Sequence, residues 1–162
     1  MAKKLQKDVG VWPGKRIAPG ERANISLTVS KSYTGKSNHV PVHVWRGEKP
    51  GPSVFISAAV HGDELNGTGT IAHIIRDSPF ELKAGSLVLV PVVNVLGFEQ
   101  LSRYSPDRRD LNRSFPGSRK GSVTSRLADV IVRNIVARCD YGIDLHTAAV
   151  RRTNYPHARA AM

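Results

Sequence analysis

Residues 53 to 78 read SVFISAAVHGDELNGTGTIAHIIRDS. The first eight residues of this stretch, 53 to 60, are apolar or small and follow a Pro- and Gly-containing segment, which predicts a short buried strand. Three isoleucines then recur at helical spacing and predict a helix near residues 66 to 77. A buried strand that leads into a helix is typical of an α/β protein.

The rest of the chain continues this alternation. β-Branched and apolar residues predict further strands at 23 to 32, 39 to 47, 85 to 94 and 140 to 147. An apolar stripe that includes Leu127, Ile131 and Ile135 predicts a second helix over 122 to 139. The sequence therefore predicts an α/β domain whose largely parallel sheet is flanked by helices.

The connecting segments differ in character. EKPGP, at residues 48 to 52, predicts a turn. Residues 95 to 121 have little periodicity and predict a long loop, and a loop of that length in a compact domain usually serves a function. Residues 1 to 22 combine Gly, Pro and charge and predict a loose N-terminal arm, which leaves 23 to 162 as one domain.

Composition restricts the class of protein. The chain has 162 residues, and no apolar run approaches the ~18 residues that span a bilayer. The basic N-terminus lacks the apolar region of a secretory signal. The lone Cys139 has no partner for an internal disulfide, which suits a reducing compartment. These features predict a cytoplasmic protein without a membrane partner.

The net charge of +11 raises the question of a nucleic-acid partner. Aromatic residues make up 6% of the chain, too few to suggest a platform for stacked bases, and the sequence contains no helix-turn-helix or zinc-finger pattern. From residue 101 onward, 11 of the 12 basic residues are Arg, which favours recognition of carboxylate or phosphate groups. The charge thus indicates an anionic partner of either size, and the lack of aromatics and of DNA-binding motifs makes nucleic acid the weaker alternative.

A metal site is the most specific hypothesis that these residues suggest. His61 and Glu64 follow one predicted strand, and His146 ends another. Strands of a parallel sheet place their carboxyl ends at one edge, where ligands collect. Two His and one Glu match the three protein ligands of a catalytic zinc, although a polar loop and a core histidine are the simpler alternatives. Asp144 would either orient His146 or line the site.

Three motifs in this order, HGDELNG, RDLNRSFPG and DLHTA, resemble the succinylglutamate desuccinylase/aspartoacylase family. The resemblance runs from about residue 40 to the end of the chain. It implies a zinc-carboxypeptidase-like fold with a mixed, largely parallel sheet. It also implies a zinc-dependent hydrolase that cleaves the C–N amide bond of a small anionic N-acyl amino acid, with ester cleavage left open.

The resemblance also implies roles for single residues. One Zn²⁺ per protomer would be bound by His61, Glu64 and His146, although such ligands also accept cobalt or manganese. Asn112 and Arg113 would bind the carboxylate of the substrate. Arg103 fits best as the arginine that stabilises the oxyanion, with Arg108 and Arg109 as alternatives. The family's substrate-facing stretch corresponds here to the segment that contains Arg151, Arg152 and Tyr155.

One expected group is missing. The family uses a Glu downstream of the third ligand as general base, and residues 147 to 162 contain no Asp or Glu. The sequence therefore predicts a catalytic domain whose C-terminal part and general base are absent, with Glu99, in the long loop, as the competing alternative for that base. It leaves open a truncated enzyme, a subunit completed by another chain or an oligomer, and a non-catalytic module that binds zinc or carboxylate.

Overall fold

The computed structural model describes residues 9 to 31, 35, 37 to 149 and 152 to 160. The strands are β1 (Val11–Trp12), β2 (Lys15–Arg16), β3 (Arg22–Lys31), β4 (Ser37–Arg46), β5 (Lys49–Ala58), β6 (Ala84–Val90) and β7 (Tyr141–Leu145). The helices are α1 (Asn66–Asp77), α2 (Val95–Phe98) and α3 (Val123–Asn134). Two 3₁₀ helices cover Leu111–Arg113 and Val136–Arg138.

Five strands form one mixed sheet in the order β3-β4-β6-β5-β7. β6, β5 and β7 are parallel to one another, whereas β3 and β4 pair antiparallel, as do β4 and β6. The α/β class and the mixed sheet predicted from the sequence are confirmed. The carboxyl ends of β5 and β7 lie side by side, with Ala58 opposite Leu145.

The pattern of each strand explains its place in the sheet. β3 alternates buried and exposed residues, as expected for an edge strand with one face toward the core. β6 is buried at every residue from Gly85 to Val90, because it lies between β4 and β5 and both of its faces are covered. β7 forms the opposite edge, and its Tyr141 and Ile143 are exposed.

Two apolar clusters occupy the two faces of the sheet. The larger cluster packs α3, through Leu127 and Ile131, against side chains of β3, β4 and β6. The smaller packs α1, through Ile71, against Leu87 and Leu89 of β6. Helices on both faces give the sheet its layered arrangement, and the helix predicted near 66 to 77 is confirmed as α1.

The N-terminal segment differs from the expected loose arm over residues 9 to 22. β1 and β2 form a small hairpin, and Val9, Trp12 and Ile17 are buried in the larger cluster. Trp12 Nε1 donates to Val9 O at 2.7 Å, and the Arg138 guanidinium lies 4.9 Å from the centre of the Trp12 ring. Residues 1 to 8 lie outside the described residues.

The predicted turn at 48 to 52 is wrong, because β5 already begins at Lys49. Prolines are tolerated here since β7 pairs with β5 only from Val54 onward and the β5–β6 register shifts between Lys49 and Ser53. The predicted loop at 95 to 121 contains α2 and one 3₁₀ helix. In the described part of the chain, no helix is both long and apolar enough to cross a membrane.

Candidate metal centre

The candidate ligands follow two parallel strands and therefore lie at one edge of the sheet. β5 ends at Ala58, and a turn through Ala59, with a φ of 52°, leads to His61. Glu64 follows three residues later, and α1 begins two residues after it, at Asn66. β7 ends at Leu145, so His146 leaves the neighbouring strand at the same edge. This edge carries the carboxyl ends of the strands, where the ligand sites of open α/β sheets lie.

The carboxylate of Glu64 lies between the two imidazole rings. His61 Nδ1 is 2.7 Å from Glu64 Oε1, and His146 Nδ1 is 2.9 Å from Glu64 Oε2. One donor atom from each of the three residues lies within 4.8 Å of the others. His61 and Glu64 are buried, whereas His146 is partly open to solvent. The structure therefore brings together all three residues that the sequence suggested as metal ligands.

Each imidazole has a second carboxylate at its other nitrogen. His61 Nε2 lies 3.2 Å from Asp110 Oδ1, and His146 Nε2 lies 2.6 Å from Asp144 Oδ2. Ser57 Oγ donates to the other oxygen of Asp144, at 2.7 Å. A carboxylate behind each histidine is the arrangement that orients metal-binding histidines and fixes their tautomer.

This arrangement fits a divalent cation. The Nδ1 atoms of both imidazoles face the carboxylate of Glu64, and an imidazole whose proton is on Nε2 presents there a lone pair that can bind a metal ion. The cluster contains the carboxylates of Glu64, Asp110 and Asp144 and the guanidinium of Arg103. When the imidazoles are neutral, these groups carry a net charge of two negative units. Two imidazoles and one carboxylate are also a known ligand set for catalytic zinc.

Arg103 reaches the cluster from the long loop after α2. Its Nε and Nη2 donate to Asp110 Oδ2, at 3.2 and 2.9 Å, and its Nη1 lies 3.7 Å from Glu64 Oε1. Of the three arginines considered from the sequence, Arg103 is therefore the one whose guanidinium is held at the candidate ligands. Arg108 and Arg109 are exposed.

Hydrogen bonding shifts the pKa values of Asp110 and His146 in opposite directions. Burial alone would raise the pKa of Asp110, but hydrogen bonds and charge from Arg103, together with His61, lower it. Asp110 is thus held ionised beside His61. The hydrogen bond to Asp144 raises the pKa of His146, although burial opposes that effect.

The residues expected to bind a substrate carboxylate lie beside Asp110. Asn112 and Arg113 belong to the short 3₁₀ helix, and Asp110 caps that helix by accepting from Asn112 N at 2.8 Å. Both side chains are exposed, so they form part of the rim and not of the buried cluster.

An open cleft of about 470 Å³ adjoins the cluster. Asp63, Arg103, Tyr104, Ala149 and Arg152 line it. Arg152 thus lies where the sequence suggested a substrate-facing residue. Tyr155 is 92% exposed, and Arg151 lies outside the described residues.

Sequence reasoning missed two contributors to this centre. Asp110 belongs to the RDLNRSFPG motif, which predicts no role for it, although an acidic residue beside basic neighbours in a long loop is a usable signal. Ser57 carried no signal, because its contact with Asp144 arises only when β5 and β7 pair in register.

Comparison with known proteins agrees with these features. The model of the succinylglutamate desuccinylase/aspartoacylase catalytic domain matches residues 50 to 162, which is more than half of the chain. The chain belongs to the succinylglutamate desuccinylase/aspartoacylase family. The resemblance inferred from the three motifs is thereby confirmed.

Individual family members extend beyond this chain. An N-alpha-acetyl-L-2,4-diaminobutyric acid deacetylase from Halomonas elongata is 37% identical over 110 residues, which are 67% of this chain and 32% of that protein. An aspartoacylase family protein from Mesorhizobium loti has a TM-score of 0.71 and 32% identity over 80% of this chain and 41% of its own. An ectoine utilization protein from Ruegeria pomeroyi, in a product-bound structure, has a TM-score of 0.69 and 29% identity over 84% of this chain and 42% of its own. The chain thus spans a third to two fifths of these relatives.

Proposed function

We propose that the chain is the metal-binding part of a zinc-dependent deacylase that hydrolyses the C–N amide bond of N-acyl amino acids. The observation that carries this proposal is the position of Glu64, whose carboxylate meets the Nδ1 atoms of His61 and His146 while carboxylates face both Nε2 atoms. In this proposal His61, Glu64 and His146 hold one zinc ion. Zinc in such a site lowers the pKa of water toward about 7 and polarises a carbonyl group.

The residues around the cluster suit the remaining tasks of amide hydrolysis. Arg103 stabilises negative charge that develops on the carbonyl oxygen, because its guanidinium lies beside Glu64 and lines the cleft. Asn112 and Arg113, at the rim, bind the carboxylate of the amino-acid part, and the fork of Arg113 allows a bidentate contact. Asp110 and Asp144 hold the imidazoles in the required orientation.

The names of the relatives support the substrate class. One relative is a deacetylase of an N-acetylated diamino acid, and a solved neighbour from Silicibacter is a succinylglutamate desuccinylase. Both names describe removal of an acyl group from an amino acid. A small anionic N-acyl amino acid is therefore the proposed substrate, and a cytoplasmic location remains the prediction made from the lone cysteine.

A module that binds zinc or carboxylate without catalysis is the second candidate. Residues 147 to 162 contain no Asp or Glu, so this chain has no carboxylate after His146 that could act as general base. A second chain that pairs with the exposed edge strand β7 would be one way to complete the site.

Metal analysis of the purified protein tests the proposal. We expect one zinc per protomer, and we expect His61→Ala and His146→Ala to lose most of it because each removes one of three ligands. His73→Ala is the matched control, since His73 is an exposed histidine on α1. Full zinc content in both ligand variants would refute the metal site. Hydrolysis of N-acetyl or N-succinyl amino acids above the rate of the His61→Ala variant would favour the deacylase over the non-catalytic module.

A further inference from the structure

Asn94 is completely buried where three segments of the candidate site meet. Its Oδ1 accepts hydrogen bonds from Gly97 N, at 3.0 Å, and from Ser105 Oγ, at 3.2 Å. Its backbone N donates to Ala59 O, in the turn that follows β5, at 2.9 Å. This single asparagine therefore joins the end of β5, the start of α2 and the segment that carries Arg103.

The segment that carries Arg103 is held on both sides of that residue. Ser102 N donates to Gly97 O at 2.9 Å, and Ser105 Oγ donates to Asn94 three residues further on. Ser105 is only 3% exposed, so its hydroxyl bond is shielded from water. The guanidinium extends from a backbone that is fixed before and after it.

Close backbone packing connects the same residues to the metal-ligand loop. A Cβ at Gly97 would lie 2.7 Å from Asn94 Nδ2 and 2.8 Å from Ser102 O. A Cβ at Gly62 would lie 2.1 Å from the carbonyl carbon of Gly97. Glycine at both positions lets the loop 61 to 64 contact α2 directly, so Arg103 and the candidate ligands share one support.

Helix capping alone does not account for Asn94. Capping of α2 requires one acceptor, which the bond from Gly97 N satisfies. The same oxygen also accepts from Ser105, which is eight residues beyond Gly97 and belongs to another segment. The Asn94 amide is completely buried, whereas the helix that it caps has only four residues. We infer that the amide has a role beyond capping that helix.

We propose that Asn94 is a positioning residue for Arg103. Through Gly97 and Ser105 it fixes the backbone on either side of Arg103, so that the guanidinium meets Asp110 and faces the cleft. The inference rests on the proposed function only in one respect, namely that Arg103 stabilises the negative charge on the carbonyl oxygen. The hydrogen bonds of Asn94, Gly97 and Ser105 require no metal.

The test uses NMR exchange of arginine Nε–H protons with water in the 162-residue protein. Arg103 Nε donates to Asp110, and Arg103→Lys identifies its signal by removing it. In Ser105→Ala, which removes the hydroxyl bond to Asn94, we expect the Arg103 proton to exchange about two- to tenfold faster, the effect of losing one buried hydrogen bond. The Nε–H of Arg133, which donates to Asp129 on α3, should keep its rate.

Thr70→Ala is the control, because it removes a hydroxyl hydrogen bond to Asn66 O within α1 that involves neither Asn94 nor Arg103. It should leave the exchange of Arg103 within twofold of the wild-type rate. An unchanged Arg103 rate in Ser105→Ala would overturn the proposal. Equal acceleration of Arg133 would also overturn it, since that result indicates general loosening. Zinc content does not enter the measurement, so failure of the metal site and failure of this inference are distinguishable.

Discussion

Asp110 contacts two groups of the candidate site at once. One oxygen faces His61 Nε2, and the other accepts from the Arg103 guanidinium. It therefore orients an imidazole and holds an arginine with a single carboxylate. Removal of its charge should therefore weaken metal binding while the fold remains intact.

We predict that Asp110→Asn weakens zinc binding about 10- to 100-fold, the usual effect of losing the carboxylate behind a metal-binding histidine. Asn also serves as a helix cap, so the 3₁₀ helix over Leu111–Arg113 should remain. Competition with a chelator of known affinity measures the change. Asp129→Asn removes the partner of Arg133 on α3 and is the control. Equal zinc affinity in the two variants would contradict the role of Asp110.

A substitution of Arg113 tests whether the rim of the site binds a carboxylate. We predict that Arg113→Lys lowers the affinity of the zinc-loaded protein for N-acetyl-L-glutamate by about 1.5–3 kcal/mol, because Lys keeps the charge but loses the planar fork. Calorimetric titration provides the measurement, with Arg119→Lys as an exposed control from the same loop. Unchanged affinity would make the RDLNR motif a solvated surface turn.

At the scale of elements, a loop carboxylate connects the site to α3. Asp107 Oδ2 accepts from Thr124 N at 3.1 Å, and Thr124 Oγ1 donates to its other oxygen. Asp107 thus binds backbone and side chain in the first turn of α3, and it lies between Arg103 and Asp110 in the chain. The loop that delivers both site residues is thereby attached to a helix of the core.

This contact predicts a pH dependence. Burial would raise the pKa of Asp107, but hydrogen bonds from Thr124 and Ser122 lower it below its usual value of 3.8. A lowered folded-state pKa adds stability that is present above the unfolded pKa and is lost as the pH falls through the folded value. We predict that Asp107→Asn costs about 1 kcal/mol at pH 7 and much less at pH 3.

Urea unfolding at both pH values measures this difference, and exposed Glu81→Gln is the control. A cost for Asp107→Asn that is the same at pH 3 and pH 7 would show that the carboxylate charge does not stabilise the attachment.

At the scale of the whole molecule, the chain carries a metal-ligand cluster but no carboxylate after the third ligand. We predict that the 162-residue chain alone hydrolyses N-acyl amino acids very slowly or not at all while binding zinc, because a missing general base costs about 10²–10⁴-fold in rate. An assay on a panel of N-succinyl and N-acetyl amino acids, with and without zinc, measures it.

Rapid turnover would contradict that prediction. Loss of the turnover in Glu99→Gln would then identify the base, since Glu99 follows α2, which packs on the metal-ligand loop through Gly97 and Gly62. Retention of the turnover in Glu99→Gln would point to another carboxylate. Asp63, which lines the cleft, would be the next to test.

The sequence by itself determined the positions of the main strands and helices and the three candidate metal ligands. Helical periodicity sufficed for α1 and α3, because each buries one face. A short apolar run sufficed for β6, because that strand is covered on both faces. His61, Glu64 and His146 were recognisable since each follows an apolar strand inside a motif. These features depend on residues that are close together in the chain.

Only the tertiary structure decided which distant groups complete the site. Asp110 meets His61 across 49 residues, and Ser57 meets Asp144 across 87, because strand register and loop attachment place them together. The same holds for the burial of Trp12, which needs Arg138 and the core beneath it. No local pattern encodes such contacts, since their free energy arises only when separate segments pack and exclude water.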